Sequence, residues 1–382
     1  MTDLTLSGLT LLPDGQLAET TLFIDQGTII RISPGRDPGA DLIADGYIVP
    51  GLIDLQVNGA YGADFTIDAQ TVVDVAARLP ATGVTSFLPT IITSPFELYP
   101  QRLREIEEAG HHTGGAHVLG VHLEGPYLNR IRRGAHNTDL FRPIDVDEIR
   151  HWADPGIVRL VTLAPELPGA LEAIRALSRN GIIVSAGHSN ARYAEALVGF
   201  EAGITWGTHL FNAMREMRHR EPGLPGALLS TSTLTCGLIA DGIHVHPAMM
   251  GLAFRMKGAH RITLVTDAMQ AMGMPAGRYK LGDREVVVDD TSARLEDGTL
   301  AGSILTLDQS VRNVVAFTGC AWTEAVTMAS TTPARLLGLD GKGCIAPGCD
   351  ADLVILNESL HVTHTWVAGQ PVWETNNAEC TM

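Results

Sequence analysis

Five side chains that bind divalent metals or move protons follow short apolar runs in this 382-residue chain. They are Glu124 in VHLEGPYL, His188 in SAGHSNA, His209 in GTHLFNAM, His244 in IADGIHVH and Asp267 in VTDAM. Taken singly, each has a plain explanation: a lone His after a strand is most often a structural residue, and an Asp there is as often a helix N-cap. Five separate elements presenting such residues at the same point of their repeat is a different matter. Two imidazoles and one carboxylate leave an open position on a divalent ion, the arrangement of a catalytic rather than a structural zinc site. An ion so held lowers the pKa of water toward neutrality and polarises a carbonyl oxygen. Asp267, outside the permanent ligand set, can take the water's proton and return it to a leaving amine. His244 can donate a hydrogen bond to the carbonyl as it becomes an oxyanion. These roles together describe amide hydrolysis.

The elements that must position these groups alternate regularly. Eight runs read as strands: Leu52–Gln56, Val84–Leu88, Val118–Leu123, Val158–Thr162, Ile182–Ala186, Ile204–Thr208, Leu234–Ile239 and Ile262–Thr266. Most are unbroken β-branched or Leu stretches, as parallel strands buried on both faces require. Amphipathic stretches such as Ala69–Pro80, Gly169–Asn180 and Asn190–Ala202 separate them, and Asn180-Gly181 and Ala202-Gly203 are helix stops. Eight βα units point to an α/β fold of the (β/α)8 TIM-barrel type, whose catalytic groups lie at the C-terminal strand ends. A doubly wound sheet would carry a GxGxxG loop after its first strand, and QVNGAYG is not one. Arg278–Gly302 breaks the rhythm and reads as a β-hairpin insertion after the eighth strand. Both chain ends are strand-rich, with an Asp25-Gln26-Gly27 turn near the start and a Gly-Gln-Pro turn near the end. Ends of this kind pair into one small sheet if the barrel returns them together.

With 45% hydrophobic and 18% charged residues, the chain has ample material for a large core. A net charge of −16 argues against nucleic acid or an anionic membrane as partner. No signal peptide or membrane span is expected, and the five cysteines, without a CxxC pair, read as reduced thiols; Cys344 and Cys349 are near enough in sequence to bridge, but reduced thiols are the expectation there too. A cytoplasmic enzyme fits these features. Within this acidic chain, MREMRHREPGLPG concentrates Arg215, Arg218, His219 and Arg220, either a solvated loop or an anion clamp. Asn212 and Ala213 follow close behind His209, where backbone N–H groups can assist. Arg132, Arg133 and His136 form a weaker basic group, and His111, His112, His361 and His364 read as surface or packing residues.

HLEGP, SAGHSNA, THLFNAM, REPGL, ADGIHV and VTDA, in this order and with PGLIDLQVNG at the first strand, resemble the N-acetylglucosamine-6-phosphate deacetylase family of amidohydrolases. The resemblance implies a barrel over residues 51–340 plus a small β-sandwich built from 1–50 and 341–382. It implies a homodimer and the removal of acetate from a phosphorylated amino sugar. By motif, Glu124, His188 and His209 match the ligands of a divalent metal, zinc first, with Fe2+, Co2+ or Mn2+ also suited to such donors. Asp267 matches the acid/base and His244 the residue that polarises the acetyl carbonyl. His136, Asn212, Ala213 and Arg220 match sugar-phosphate contacts, with Arg220 reaching the neighbouring subunit's site. The segment Leu300, Ala301 and Gly302 matches a further contact, as does Ala135, where only the backbone is expected to matter. Many amidohydrolases carry HxH after the first strand for a second metal. Here the sequence reads Gln56-Val57-Asn58, which implies one ion per subunit. Rival readings are a deacetylase for N-acetylgalactosamine 6-phosphate, an N-acyl-amino-acid deacylase, and an inactive barrel used as a scaffold.

Overall fold

The eight apolar runs become one parallel sheet in chain order in the computed structural model, which describes residues 3–153 and 156–375. The strands are β1 (Leu52–Val57), β2 (Val84–Ile92), β3 (Val121–Glu124), β4 (Val158–Leu163), β5 (Ile183–Ala186), β6 (Ile204–Gly207), β7 (Thr235–Leu238) and β8 (Ile262–Leu264). Beyond β8 the chain bonds back to β1, Asp267 N–H to the Gln56 carbonyl (2.9 Å) and Asn58 N–H to the Ala268 carbonyl (2.8 Å). These bonds complete a (β/α)8 barrel, and they set Asp267 beside the end of β1. All nine residues of β2 are buried, as its unbroken apolar and hydroxyl composition requires. Ile53, Leu55, Leu88, Leu160, Trp206, Ile239 and Val265 form one apolar cluster within the barrel. His122 of β3, Thr162 of β4, Ser185 of β5 and Thr208, the residue after β6, form a hydrogen-bonded chain of buried polar side chains.

The expected run Val118–Leu123 is broken at Gly120 (φ 128°), where a Cβ would lie 2.3 Å from the Arg159 side chain; β3 starts only at Val121. The helix expected from Asn190 begins at Tyr193. Glu166 accepts the Asn190 N–H (2.6 Å) and Glu195 accepts that of Arg192 (2.7 Å), so the preceding residues belong to a loop folded on these carboxylates.

The two chain ends share one seven-stranded sheet in which Leu42–Pro50 joins the N-terminal strands to the C-terminal strand Leu353–Leu356. Leu6, Leu22, Ile24, Ile29, Ile48, Ile355 and Trp366 belong to its own core. Gln26 (φ 46°) and Gly27 (φ 76°) make the expected turn, whereas the C-terminal turn falls at Ala368-Gly369, with Gln370 and Pro371 already in the next strand. The insertion carries three strands, Gly277–Leu281, Arg284–Val288 and Ala293–Arg294. One expectation is overturned. Cys344 and Cys349 are joined in a disulfide, because the Cys349 N–H bonds the Ala346 carbonyl and the tight bend brings the two Cα atoms to 6.5 Å. Cys236 and Cys320 are free thiols, and Cys380 lies outside the described residues. Among the described residues no helix is long and apolar enough to cross a membrane.

Candidate active site

Glu124 ends β3, and His188 and His209 lie just past the ends of β5 and β6. Their ligand atoms all fall within 4.8 Å of one another. His188 Nε2 and His209 Nε2 each stand 3.1 Å from Glu124 Oε1 and 3.1 Å from each other. The Arg132 carbonyl lies 2.9 Å from His188 Nδ1 and accepts its N–H, so in the neutral ring Nε2 turns a lone pair toward the carboxylate. Lone pairs converging on one point, with a carbonyl fixing the tautomer of one ring, fit a divalent cation of the zinc type. Burial opposes ionisation of Glu124, but its interactions with His188 and His209 outweigh it and hold the carboxyl well below its ordinary range. His188 (φ 46°), His209 (φ 30°) and Asp267 (φ 51°) all stand on left-handed backbone, which costs non-glycine residues on the order of 1–3 kcal/mol each. The fold holds that strain where strands end, aiming these side chains at one spot.

Gln56 and Asn58 replace the absent imidazole pair in an unexpected way. Gln56 Nε2 donates to both oxygens of Glu124 (3.3 Å each) and to Asp267 Oδ1 (3.1 Å), and Asn58 Nδ2 donates to the same Oδ1 (2.7 Å). Amide dipoles thus separate two buried carboxylates that would otherwise repel. With Oδ1 occupied, Asp267 Oδ2 is the oxygen left for chemistry. Burial, and after it the Glu124 charge, push the Asp267 carboxyl up to about 6.

His244 is fixed by Asp241, three residues earlier. Asp241 Oδ2 accepts Nδ1–H at 2.6 Å, and Oδ1 accepts the backbone N–H groups of Ile243 and His244 at 2.8 Å each. His136 is fixed by Thr93 (Nδ1 to Oγ1, 2.9 Å), and burial, then the His188 charge, hold its ring down to about 3. Glu124, His188, His209, His244 and Asp267 all line one cavity of about 170 Å3. Ala135, His136, Asn212, Ala213, Leu300 and Gly302 line it too.

Two expected residues stand elsewhere. Ala301 is buried in the apolar cluster under the insertion, and Arg220 is exposed and away from the lining. Arg215 is spent on the Asn190 carbonyl (2.8 Å) and Arg218 on Glu216 (2.8 Å). Among the described residues lining the cavity, none is Lys or Arg. Asp241, Thr93, Gly134, Ile92, Leu281 and Thr299 were not singled out from the sequence. Asp241 alone carried a signal, an acid three residues before a singled-out His.

A closed barrel bearing a Glu–His–His donor set, with an Asp after the last strand, has the make-up of a metal-dependent hydrolase. The amidohydrolase family matches residues 47–372. The chain is 43% identical over 360 residues to N-acetylglucosamine-6-phosphate deacetylase of Bos taurus, covering 90% of this chain and 86% of that protein. It is 41% identical to N-acetylgalactosamine-6-phosphate deacetylase of Escherichia coli O157:H7, covering 94% and 96%. It is also similar to the solved structure of N-acetyl-D-glucosamine-6-phosphate deacetylase from Mycobacterium smegmatis in complex with N-acetyl-D-glucosamine-6-phosphate. That similarity has a TM-score of 0.91 at 35% identity, over 97% and 100% of the two chains. The chain belongs to the amidohydrolase family and, within it, to the N-acetylglucosamine-6-phosphate deacetylases.

Proposed function

We propose that the chain hydrolyses the acetamide of N-acetyl-D-glucosamine 6-phosphate, giving D-glucosamine 6-phosphate and acetate. The observation that carries this reading is the meeting of the three donors with Asp267 and His244 around one cavity. Glu124, His188 and His209 hold one divalent ion, Zn2+ before Fe2+, Co2+ or Mn2+. That ion supplies Lewis acidity, acidifying water and polarising the amide carbonyl. Asp267 Oδ2 takes the water proton as oxygen adds to the acetyl carbon, then passes it to the sugar nitrogen as the C–N bond breaks. His244 donates from Nε2 to the carbonyl oxygen as charge builds there; with Nδ1–H given to Asp241, that donor is the imidazolium, whose charge Asp241 balances. His136, Asn212, the Ala213 backbone and the segment around Leu300 and Gly302 hold the sugar phosphate.

The phosphate calls for a permanent cation, and the lining within one chain has no Lys or Arg among the described residues. This supports a homodimer in which Arg220 enters the partner's site. The same chemistry serves N-acetylgalactosamine 6-phosphate, the substrate named for the Escherichia coli relative. A cytoplasmic location suits a phosphorylated sugar, which does not cross membranes freely. The deciding experiment measures acetate release by the metal-loaded enzyme from both N-acetylhexosamine 6-phosphates, their unphosphorylated forms and an N-acetyl amino acid. Highest kcat/KM on N-acetylglucosamine 6-phosphate is expected. Preference for an amino acid refutes the reading, and turnover of nothing in the panel favours the inactive scaffold.

A further inference from the structure

The cavity is polar around the donor set except on one side. Ile92 ends β2 and is the parallel-strand partner of Glu124, so its side chain stands next to the metal-binding carboxylate. Ala135 and Leu281 join it in one apolar cluster, and all three both line the cavity and are buried, at 3%, 7% and 5% exposure. Leu281 comes from the insertion, whose tip is pinned onto the barrel. The Gly282 N–H bonds Asp64 Oδ2 at 2.8 Å, and Asn137 Nδ2 bonds Asp283 Oδ2 at 2.5 Å. Gly282 (φ 57°) lies so close to Ile92 that a Cβ there would be 3.0 Å from Ile92 Cδ1. Leu300, the other large apolar group of the lining, is only half-buried.

We propose that Ile92, Ala135 and Leu281 form the acyl subsite and limit the enzyme to short acyl groups. The inference rests on the deacetylase reading above. The carbonyl carbon must sit at the donor set, and its substituents are the amide nitrogen and the acyl chain. The chain is the one apolar part of an N-acyl sugar phosphate, and the wall of Ile92, Ala135 and Leu281 is the apolar part of the lining that adjoins Glu124. Because the wall is buried and its insertion strand is tied down at the tip, added methylenes meet packed atoms. A methylene of misfit in an apolar pocket is worth about 10–200-fold in kcat/KM.

The test compares N-acetyl-, N-propionyl- and N-butyrylglucosamine 6-phosphate with the metal-loaded wild type, Ile92→Ala and Leu281→Ala. Wild type should fall about 10²-fold or more in kcat/KM from acetyl to butyryl. Either variant should raise the absolute kcat/KM for butyryl and shrink that ratio about tenfold or more. Leu281→Ala lies on the insertion, so it keeps the test open if Ile92→Ala disturbs the barrel. A folded, acetyl-active Leu281→Ala enzyme with the wild-type acetyl-to-butyryl ratio overturns the subsite while leaving the deacetylase reading standing. A wild type inert on all three compounds overturns the deacetylase reading itself and the subsite with it.

Discussion

Replacing Asp267 by Asn removes a base while leaving nearly every contact in place. Asp267 Oδ1 accepts from Asn58 and Gln56 at 2.7 and 3.1 Å, and an Asn carbonyl oxygen accepts from both equally well. Its NH2 then stands where Oδ2 was, a donor in place of the atom that must take the water proton. General-base catalysis contributes about 10²–10⁴-fold, equivalent to roughly 3–5.5 kcal/mol of barrel-site transition-state stabilisation. The fold should not suffer, because the change removes one of two buried carboxylates separated by a single amide. The donor set Glu124, His188 and His209 is untouched, so the ion should remain. The assay is steady-state acetate release with elemental analysis and thermal melting of the same preparation. We expect kcat lower by about 10²-fold or more, one ion per chain and an undiminished Tm. Near-normal kcat would show that another group moves the proton. Loss of metal with kcat would show that Asp267 is a ligand, and either result refutes the reasoning.

Arg220→Ala should lower kcat/KM for the phosphorylated sugar by about 10²-fold, since truncating one partner of a desolvated ion pair costs about 2–5 kcal/mol, with little effect on the unphosphorylated sugar. Mixing Arg220→Ala with Asp267→Asn subunits should restore activity through one intact site per hybrid dimer; confirmed hybrids without activity place the arginine in its own chain's site. Elemental analysis should find one ion per subunit, because Gln56 and Asn58 turn their NH2 groups, not acceptors, toward the carboxylates; activity that tracks a second tightly held ion contradicts this. Asp54 predicts a pH effect on stability. Burial pushes its carboxyl up to about 7, so the fold favours the neutral form. That stability is fully present below the unfolded value near 4 and is lost as pH rises through about 7, up to roughly 4 kcal/mol. Asp54→Asn should therefore gain Tm relative to wild type between pH 4 and 7 and run parallel above it; parallel curves throughout would disprove the shift.

The barrel was legible because strand burial writes itself into composition. Val84–Ile92 must be apolar or hydroxyl-bearing at every position if both its faces are covered, and such runs recurring eight times between helical stretches admit few folds. Glu124, His188, His209, His244 and Asp267 were legible for the same reason, since alternation alone tells which residues follow strands and so share a rim. What the tertiary structure decided is which atoms meet. The Asn58 and Gln56 bonds to Asp267 span 209 and 211 residues and exist only because the barrel closes between β1 and the segment after β8. The left-handed backbone at His188, His209 and Asp267 is imposed by packing against local preference. Leu281 and Ile92 read as ordinary apolar residues until the pinned insertion tip brings one against the other beside Glu124. The Cys344–Cys349 bond likewise depends on a bend that residue types at that spacing do not specify. Composition and period determine which side of an element is buried, because burial acts on each residue separately. Contacts between distant residues depend on register and closure, which act on the chain as a whole.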